Sequence, residues 1–397
     1  MLNSADIRRH GRVPGDSDGH LEEFVDRLFG DLPRADQRNR SREYLTGLLV
    51  TPGKKSLRRM AAAVSTSPYA SQALQQFVNV SPWDWRPPRR ALAEWVEERR
   101  PTLAWTLALA VAPKRGDHSA GVHRRFVPGP DRALNCQLGV GLFLSSEDAC
   151  VPVDWRLVLP GRWATDTAAR AAVRIPEDEH TPAEGACALD LVRVQAAGRR
   201  GVPLVVDLTQ VPHEATFLAD LAALGTGFVA QVPGTLLRPP NGRPGPAAAG
   251  HLVRCAAVLP GFGSGIVPGV RGRGHSRVRT CAVRLAHGTS AADRRPLGLV
   301  VEQPADGTGT PRWFVTDLTH LGPGGVLKLA GTLGRSASAV REMERDHGLL
   351  DFEGRSYPGW HHHMTLVSAA YAYRQAFGGG TRPGSELRAR TRMTRAA

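Results

Sequence analysis

The sequence predicts two architectures in series: an all-α N-terminal domain, then an α/β domain built on a mixed sheet covered by helices and broken by a β-rich insertion. Three observations carry this prediction. Apolar residues recur at helical spacing up to about residue 100. From Pro101 the pattern changes to short apolar runs separated by Gly, Pro and Asp turns. Beyond about residue 180, strand and helix patterns alternate before a second group of strand patterns begins.

In LEEFVDRLFGDL, residues Leu21, Phe24, Val25, Leu28 and Phe29 fall on one helical face. RNRSREYLTGLL, LRRMAAAV, ASQALQQFV and PRRALAEWVEERR are helical stretches too, so residues 18–100 are assigned to a helical domain and 1–17 to a disordered N-terminus. TLALAVAP, GVHRRFVP and NCQLGVGLFLS read as three consecutive antiparallel strands, and VDWRLVLPGRW as a loop. Helix PAEGACALDLVRVQAAGRR, strand VPLVVDLTQ, helix EATFLADLAALG and strand GFVAQVP then alternate. The Pro/Gly-rich LRPPNGRPGPAAAG interrupts them. HLVRCAAVL, VRTCAVRLA, PLGLVVEQP and RWFVTDL are the strands of an insertion assigned to 236–329, the last two joined by the hairpin loop ADGTGTP. Helical character returns in SASAVREMERDHG and HHHMTLVSAAYAYRQAF. The α/β core is thus assigned to 101–235 and 330–380, and a basic tail, LRARTRMTRAA, to 381–397.

With 397 residues, 42% of them hydrophobic, the chain can bury a sizeable core and is not a disordered protein. Its net charge of +14 and pI near 10.5 favour polyanionic partners. Of its 51 basic residues only Lys54, Lys55, Lys114 and Lys328 are lysines; the rest are arginines, whose planar fork can hold phosphate in a bidentate grip. The five cysteines lie far apart with no C-x-x-C pair, which argues against a zinc site or a disulfide framework. No apolar run reaches the roughly 20 residues that span a bilayer, and MLNSADIRRHGR lacks a signal peptide's apolar core, so a cytoplasmic protein without a membrane partner is expected. Basic residues cluster in the helical domain at Arg38, Arg40 and Arg42, then at Lys54, Lys55, Arg58 and Arg59. A solvated helix face explains either cluster alone; both together in a chain this basic suggest a surface for double-stranded DNA.

Three further stretches carry chemistry: the PKRG corner followed by HSAGVHRRFVPGPDRALNCQLGVGLF; VVDLTQVPHEATFL with its single early acid; and HGLLDFEGRSYPGWHHHMTLVSAAYAY, where a polar loop runs into a helix. With these, the sequence resembles the DDE-superfamily transposases of bacterial insertion sequences. The resemblance covers most of the chain, through RNRSREYLTGLL, LQQFVNVSPWDW, NCQLGVGL, GVPLVVD and, most specifically, GLLDFEGRSYPGWHHHMTL. It implies a ribonuclease-H-like fold with a β-rich insertion, and two-metal phosphoryl transfer in which three carboxylates hold two Mg²⁺ ions about 3.5–4 Å apart.

Carried over residue by residue, the family's first aspartate, usually an Asp-Asp pair shortly before the Pro-Lys corner, falls on Ala108 and Leu109. Its second falls on Asp207, which is retained, although the tyrosine and glycine that usually follow are Gln210 and Val211. Its glutamate falls on Ala337, and the lysine seven residues later on Glu344. Two of three metal ligands are therefore lost, leaving Asp207 as the remaining metal-facing position, with Asp117, Glu342, Glu344 and Glu353 as candidate substitutes. The expectation is a transposase-family DNA-binding protein with impaired cleavage, using Mg²⁺ only if active and otherwise no cofactor, and able to form a homodimer as transposases do. Two alternatives stand beside it: an active transposase with displaced carboxylates, and a small-molecule enzyme with a pocket around Asp207, Glu353 and the histidines. Lys114 and Arg355 are candidate phosphate contacts, and RGRGH at Arg271 to His275 is a basic loop suited to the DNA backbone. The run Trp360, His361, His362, His363 is poor metal-ligand geometry, since adjacent side chains point in different directions. Ser119 with His118 or His123 lacks the context of a nucleophile elbow.

Overall fold

A computed structural model describes residues 19–127, 132–196, 201–209, 214–236, 252–254, 259, 262–263, 265–268, 275–285, 295–304 and 309–377. The expected disordered N-terminus, the basic tail, the Pro/Gly-rich run 237–250, Gln210, Val211, residues 305–308 of the hairpin loop and residues 271–274 of the basic loop lie outside the described residues. The chain divides into two compact units.

The first unit comprises Met1–Leu92, Met343–Gly354 and His362–Ala397. Its N-terminal part is helical: α1 (His20–Phe29), α2 (Ala35–Val50), α3 (Leu57–Val64), α4 (Ala70–Asn79) and the start of α5 (Arg86–Arg99). In α1 all five residues of the apolar face are buried, as their spacing predicts. α2 contributes Tyr44, Leu45, Leu48 and Leu49 to the core, α3 Met60, Ala61 and Val64, and α4 Ala70, Leu74, Phe77 and Val78. At Gly47 the backbones of α2 and α3 come so close that an added Cβ would meet the Met60 side chain at 2.9 Å.

The second unit, Ala93–Glu342 with Arg355–His361, contains every described strand. In chain order these are β1 (Ala104–Pro113), β2 (His123–Val127), β3 (Arg132–Ser145), β4 (Cys150–Leu157), β5 (Leu204–Asp207), β6 (Phe228–Val232), β7 (Leu252–Arg254), β8 (Gly265–Pro268), β9 (His275–Leu285), β10 (Leu297–Pro304) and β11 (Arg312–Thr316). Helices α6 (Arg162–Thr165), α7 (Thr167–Ala172), α8 (Glu184–Ala196) and α9 (Glu214–Leu224) fall between β4 and β6. After β11 come α10 (Gly322–Ala330), α11 (Thr332–Asp346) and α12 (Tyr357–Phe377), the last two running on into the first unit.

One sheet holds all eleven strands, in the order β2-β3-β1-β5-β6-β11-β10-β9-β7, with β4 also paired to β3 and β8 to β9. β1, β3 and β4 are antiparallel; β5 runs parallel to β1, and β6 parallel to β5, each reached through a helix. This is the ribonuclease-H-like mixed sheet that the sequence predicts. The insertion does not fold apart from it: β11 pairs antiparallel with β6, and β10, β9 and β7 continue outward, so inserted strands occupy what would be the core's edge. Ala104, Val205, Val229, Val278, Val300 and Phe314 build a single apolar core with Val326, Leu327, Leu329 and Ala330 of α10.

Several elements differ from expectation: β8, α6 and α7 match no predicted strand or helix, and two larger differences have a clear physical reason. VDWRLVLPGRW is not all loop, because its first half lies in β4, paired to β3 from Gly139↔Leu157 to Ser145↔Cys150. A register shift between Leu142 and Phe143 sets Pro152 opposite Phe143 and Asp154 opposite Leu142. β4 is buried on both faces, so no alternation shows in its sequence, and its polar residues are held internally, Arg156 Nε donating to Asp190 at 2.6 Å with Asp154 3.3 Å from the same guanidinium. Helix α10 was hidden by its composition, GPGGVLKLA; Pro sits in the first turn, where no N–H partner is needed, and burial on the sheet outweighs the poor propensity of its glycines.

Candidate functional site

The centre of the sheet brings two of the three carboxylate positions side by side. β1 pairs with β5 at Trp105↔Leu204 and Thr106↔Val205. Carrying that parallel register forward by two residues sets Asp207 level with Ala108, both side chains on the same face of the sheet. On its other side Ala108 faces Gly141, and Leu109 faces Val140. Asp207 ends β5 and is exposed; its Oδ1 accepts hydrogen bonds from the Thr209 N–H (2.9 Å) and hydroxyl (2.7 Å), which fixes the carboxylate at the strand's end. Where a second carboxylate would face it, Ala108 presents a methyl group.

The third position offers none either: Ala337 is exposed on α11. Glu344, two turns further along the same helix, shares its face about 10 Å away along the axis, whereas Glu342 points about 140° round the helix. Asp117 lies in the bend after β1, its carboxylate 3.4 Å from both Arg162 and His118. Glu353 belongs to the first unit, where it lies 3.6 Å from Lys54. Among the described residues no group of three or more His, Cys, Asp or Glu side chains is placed to hold a metal ion. A hard divalent cation needs several oxygen ligands, and of the family positions only Asp207 supplies a carboxylate, so these residues do not fit a two-metal centre.

The histidine run has a structural role. His362 is 1% exposed and places Nδ1 2.9 Å from the Val78 carbonyl and Nε2 2.8 Å from the Trp83 carbonyl. Both ring nitrogens thus face backbone carbonyls, and the ring is stacked on the Trp83 indole at 3.9 Å. His363 Nε2 lies 3.0 Å from the Gly348 carbonyl and so carries the proton, leaving Nδ1 to accept the Tyr44 hydroxyl at 3.0 Å. Burial, with Glu353 and Asp351 nearby, raises the Tyr44 phenol well above its ordinary range. These contacts hold the C-terminal helix to α2 and to the segment after α4 within the first unit.

The two basic clusters differ chiefly in exposure. Arg38 donates to the Leu32 carbonyl, Arg40 pairs with Glu43, and Arg42 lies 3.2 Å from Glu22 and 3.0 Å from Asp26, so the first cluster is spent on intramolecular contacts. In the second, Lys54, Arg58 and Arg59 are exposed, with Arg59 bridging the Pro52 and Lys54 carbonyls. Lys55, expected at a DNA surface, is instead buried. Its ammonium donates to the Thr51 carbonyl, its N–H to Asp351 at 2.7 Å, and burial lowers its pKa. Its side chain lies against Gly348, whose φ of +73° and 2.5 Å clearance from an added Cβ both require glycine. Arg355 is exposed, and its carbonyl accepts from Ala120 N at 2.9 Å, which ties it to the turn beyond Lys114. His123 Nδ1 is engaged by the Gly121 carbonyl at 2.9 Å, so that nitrogen is not turned towards Ser119 as a nucleophile relay would require.

The family described as DDE superfamily endonuclease matches residues 27–252 of the chain. The matched span includes α2 to α5, the central strands, Ala108, Leu109 and Asp207. No curated protein matches the chain.

Proposed function

The chain belongs to the DDE superfamily endonucleases, and from that membership we propose that it is a transposase-type DNA-binding protein in which two-metal cleavage has been lost. One observation supports the reading: the β1–β5 pairing at Trp105↔Leu204 and Thr106↔Val205, carried forward by two residues, brings Ala108 level with Asp207, so a methyl group stands where a carboxylate sharing metal ions with Asp207 would be needed. Leu109 and Ala337 at the remaining family positions support it. The strongly basic composition is retained, and with it electrostatic attraction for duplex DNA. Association as a homodimer and a regulatory or domesticated role belong to the same reading. No described helix is long and apolar enough to cross a membrane.

Mg²⁺-dependent nicking of supercoiled DNA, and of duplexes carrying candidate element ends, tests this reading. Binding with a steep salt dependence and no nicking above background is expected. Cleavage that Asp207→Ala abolishes would overturn the loss of chemistry and favour displaced carboxylates.

A further inference from the structure

We propose that the outward face of α4 reads base edges in the major groove of duplex DNA, with Gln72, Gln75, Gln76 and Tyr69 as its specificity-determining residues. This rests on the DNA-binding reading above and assigns within it the element that selects sequence.

Residues 44–83 contain no Asp or Glu, although 37 acids among 397 residues, evenly spread, would place several in a stretch of that length. Its four cations, Lys54, Lys55, Arg58 and Arg59, precede or open α3, and all but Lys55 are exposed. α3 packs on α4, and the five residues between them, Ser65 to Tyr69, form a short connection. α4 buries Ala70, Leu74, Phe77 and Val78. Its opposite side carries Gln72, Gln75 and Gln76, all exposed, together with Tyr69, which at 72% is the most exposed large apolar side chain among the described residues.

An exposed helix face without a single charge is unusual, because charged side chains ordinarily supply the solvated surface. Amides suit a different role, since a glutamine side chain donates and accepts at once and can pair in bidentate fashion with adenine N6 and N7. Tyrosine adds apolar contact for a thymine methyl and a hydroxyl for a phosphate or base edge. An α-helix about 10–12 Å across fits a major groove about 12 Å wide, and the ten residues of α4 extend about 15 Å along it. Cations on the preceding helix are placed to fix position on the backbone without reading sequence, the division of labour found where one helix of a pair enters the groove and the other crosses the phosphates.

The experiment uses the full chain and a library of duplexes with a randomised centre, selected through successive rounds at moderate salt, followed by titration of the enriched and a scrambled duplex. The parent is expected to enrich one adenine-containing motif. A Gln72→Ala/Gln76→Ala variant should lose about tenfold or more of the preference for that motif while keeping its affinity for the scrambled duplex and its salt slope. Arg58→Ala should lower affinity for both duplexes alike and reduce the salt slope by about one. All three substituted side chains are exposed, and an unchanged thermal midpoint confirms that the variants fold. Enrichment of the same motif by the double glutamine variant would overturn this inference and leave DNA binding standing. A parent that binds duplexes without sequence preference, or prefers single-stranded RNA, would overturn it as well. If the parent shows no salt-dependent affinity for duplex DNA at all, the reading of the whole protein fails with it.

Discussion

At the scale of single residues, sequence shows where charge is written but not where it points. Lys55 and Arg58 lie three residues apart, yet one ammonium is buried against the Thr51 carbonyl and the other cation faces water. The difference arises from Asp351, nearly three hundred residues away in sequence, which captures the Lys55 N–H, and no local pattern announces such a partner. The histidines present the same problem. Their function is set by the carbonyls of Val78, Trp83 and Gly348, groups that every residue carries and that only the fold selects. The contrast between the two cations can be measured. Lys55→Met keeps the stem against Gly348 and removes a buried ammonium, trading a lost hydrogen bond against relief of desolvation, so unfolding should shift by about 1 kcal/mol or less. Titration of labelled duplex by anisotropy should show affinity within about twofold of the parent for Lys55→Met and a clear loss for Arg58→Ala. Equal losses would mean that Lys55 reaches the DNA after all.

At the scale of elements, periodicity marks the five N-terminal helices, the central strands and the strands of the insertion other than β8, because their burial is legible at a spacing of two or about 3.6. β4 and α10 escaped for opposite reasons: β4 is buried on both sides and shows no alternation, and α10 draws its stability from what it covers rather than from its own residues. The candidate site was legible in part. Counting from the Pro-Lys corner gives Ala108, and the β1–β5 register extended by two residues is consistent with that position, whereas the engagement of Glu353 with Lys54 depends on long-range folding that spacing does not encode. The junction of insertion and core was not legible at all, since sequence order gives no hint that β11 rather than a linker covers β6. Because Val315 of β11 is fully buried and pairs with Ala230, Val315→Pro removes a ladder hydrogen bond at the join and should cost about 3 kcal/mol or more. Hydrogen exchange should then show loss of protection in β5 and β6 as well as in β10 and β11. Loss confined to β10 and β11 would show the insertion to be an independent fold.

At the scale of the whole molecule, what has changed relative to a cleaving enzyme is chemistry without architecture. β1 pairs parallel with β5, a turn fixes Asp207, Ala337 lies on a regular helix, and all three positions belong to one compact unit. A fold that lost its carboxylates by structural decay would show a broken register or an unpacked core around them; here Ala104, Val205 and Val229 beneath the site are fully buried. On the proposed reading the loss lies in side chains, and it should be reversible by side chains. Ala108→Asp and Ala337→Glu together restore carboxylates at the two family positions that the resemblance assigns beside Asp207, and hard oxygen ligands at three positions are what a pair of Mg²⁺ ions requires. The double variant is expected to bind Mg²⁺ by calorimetry with higher affinity than the parent and to nick supercoiled DNA in a metal-dependent manner, while either single substitution stays near background because each leaves one ligand missing. Addition of Asp207→Ala to the double variant should abolish both the binding and the nicking. A double variant that folds with the parent's thermal midpoint yet gains neither would show that the three positions do not converge, and that loss of cleavage has altered the scaffold as well as its ligands.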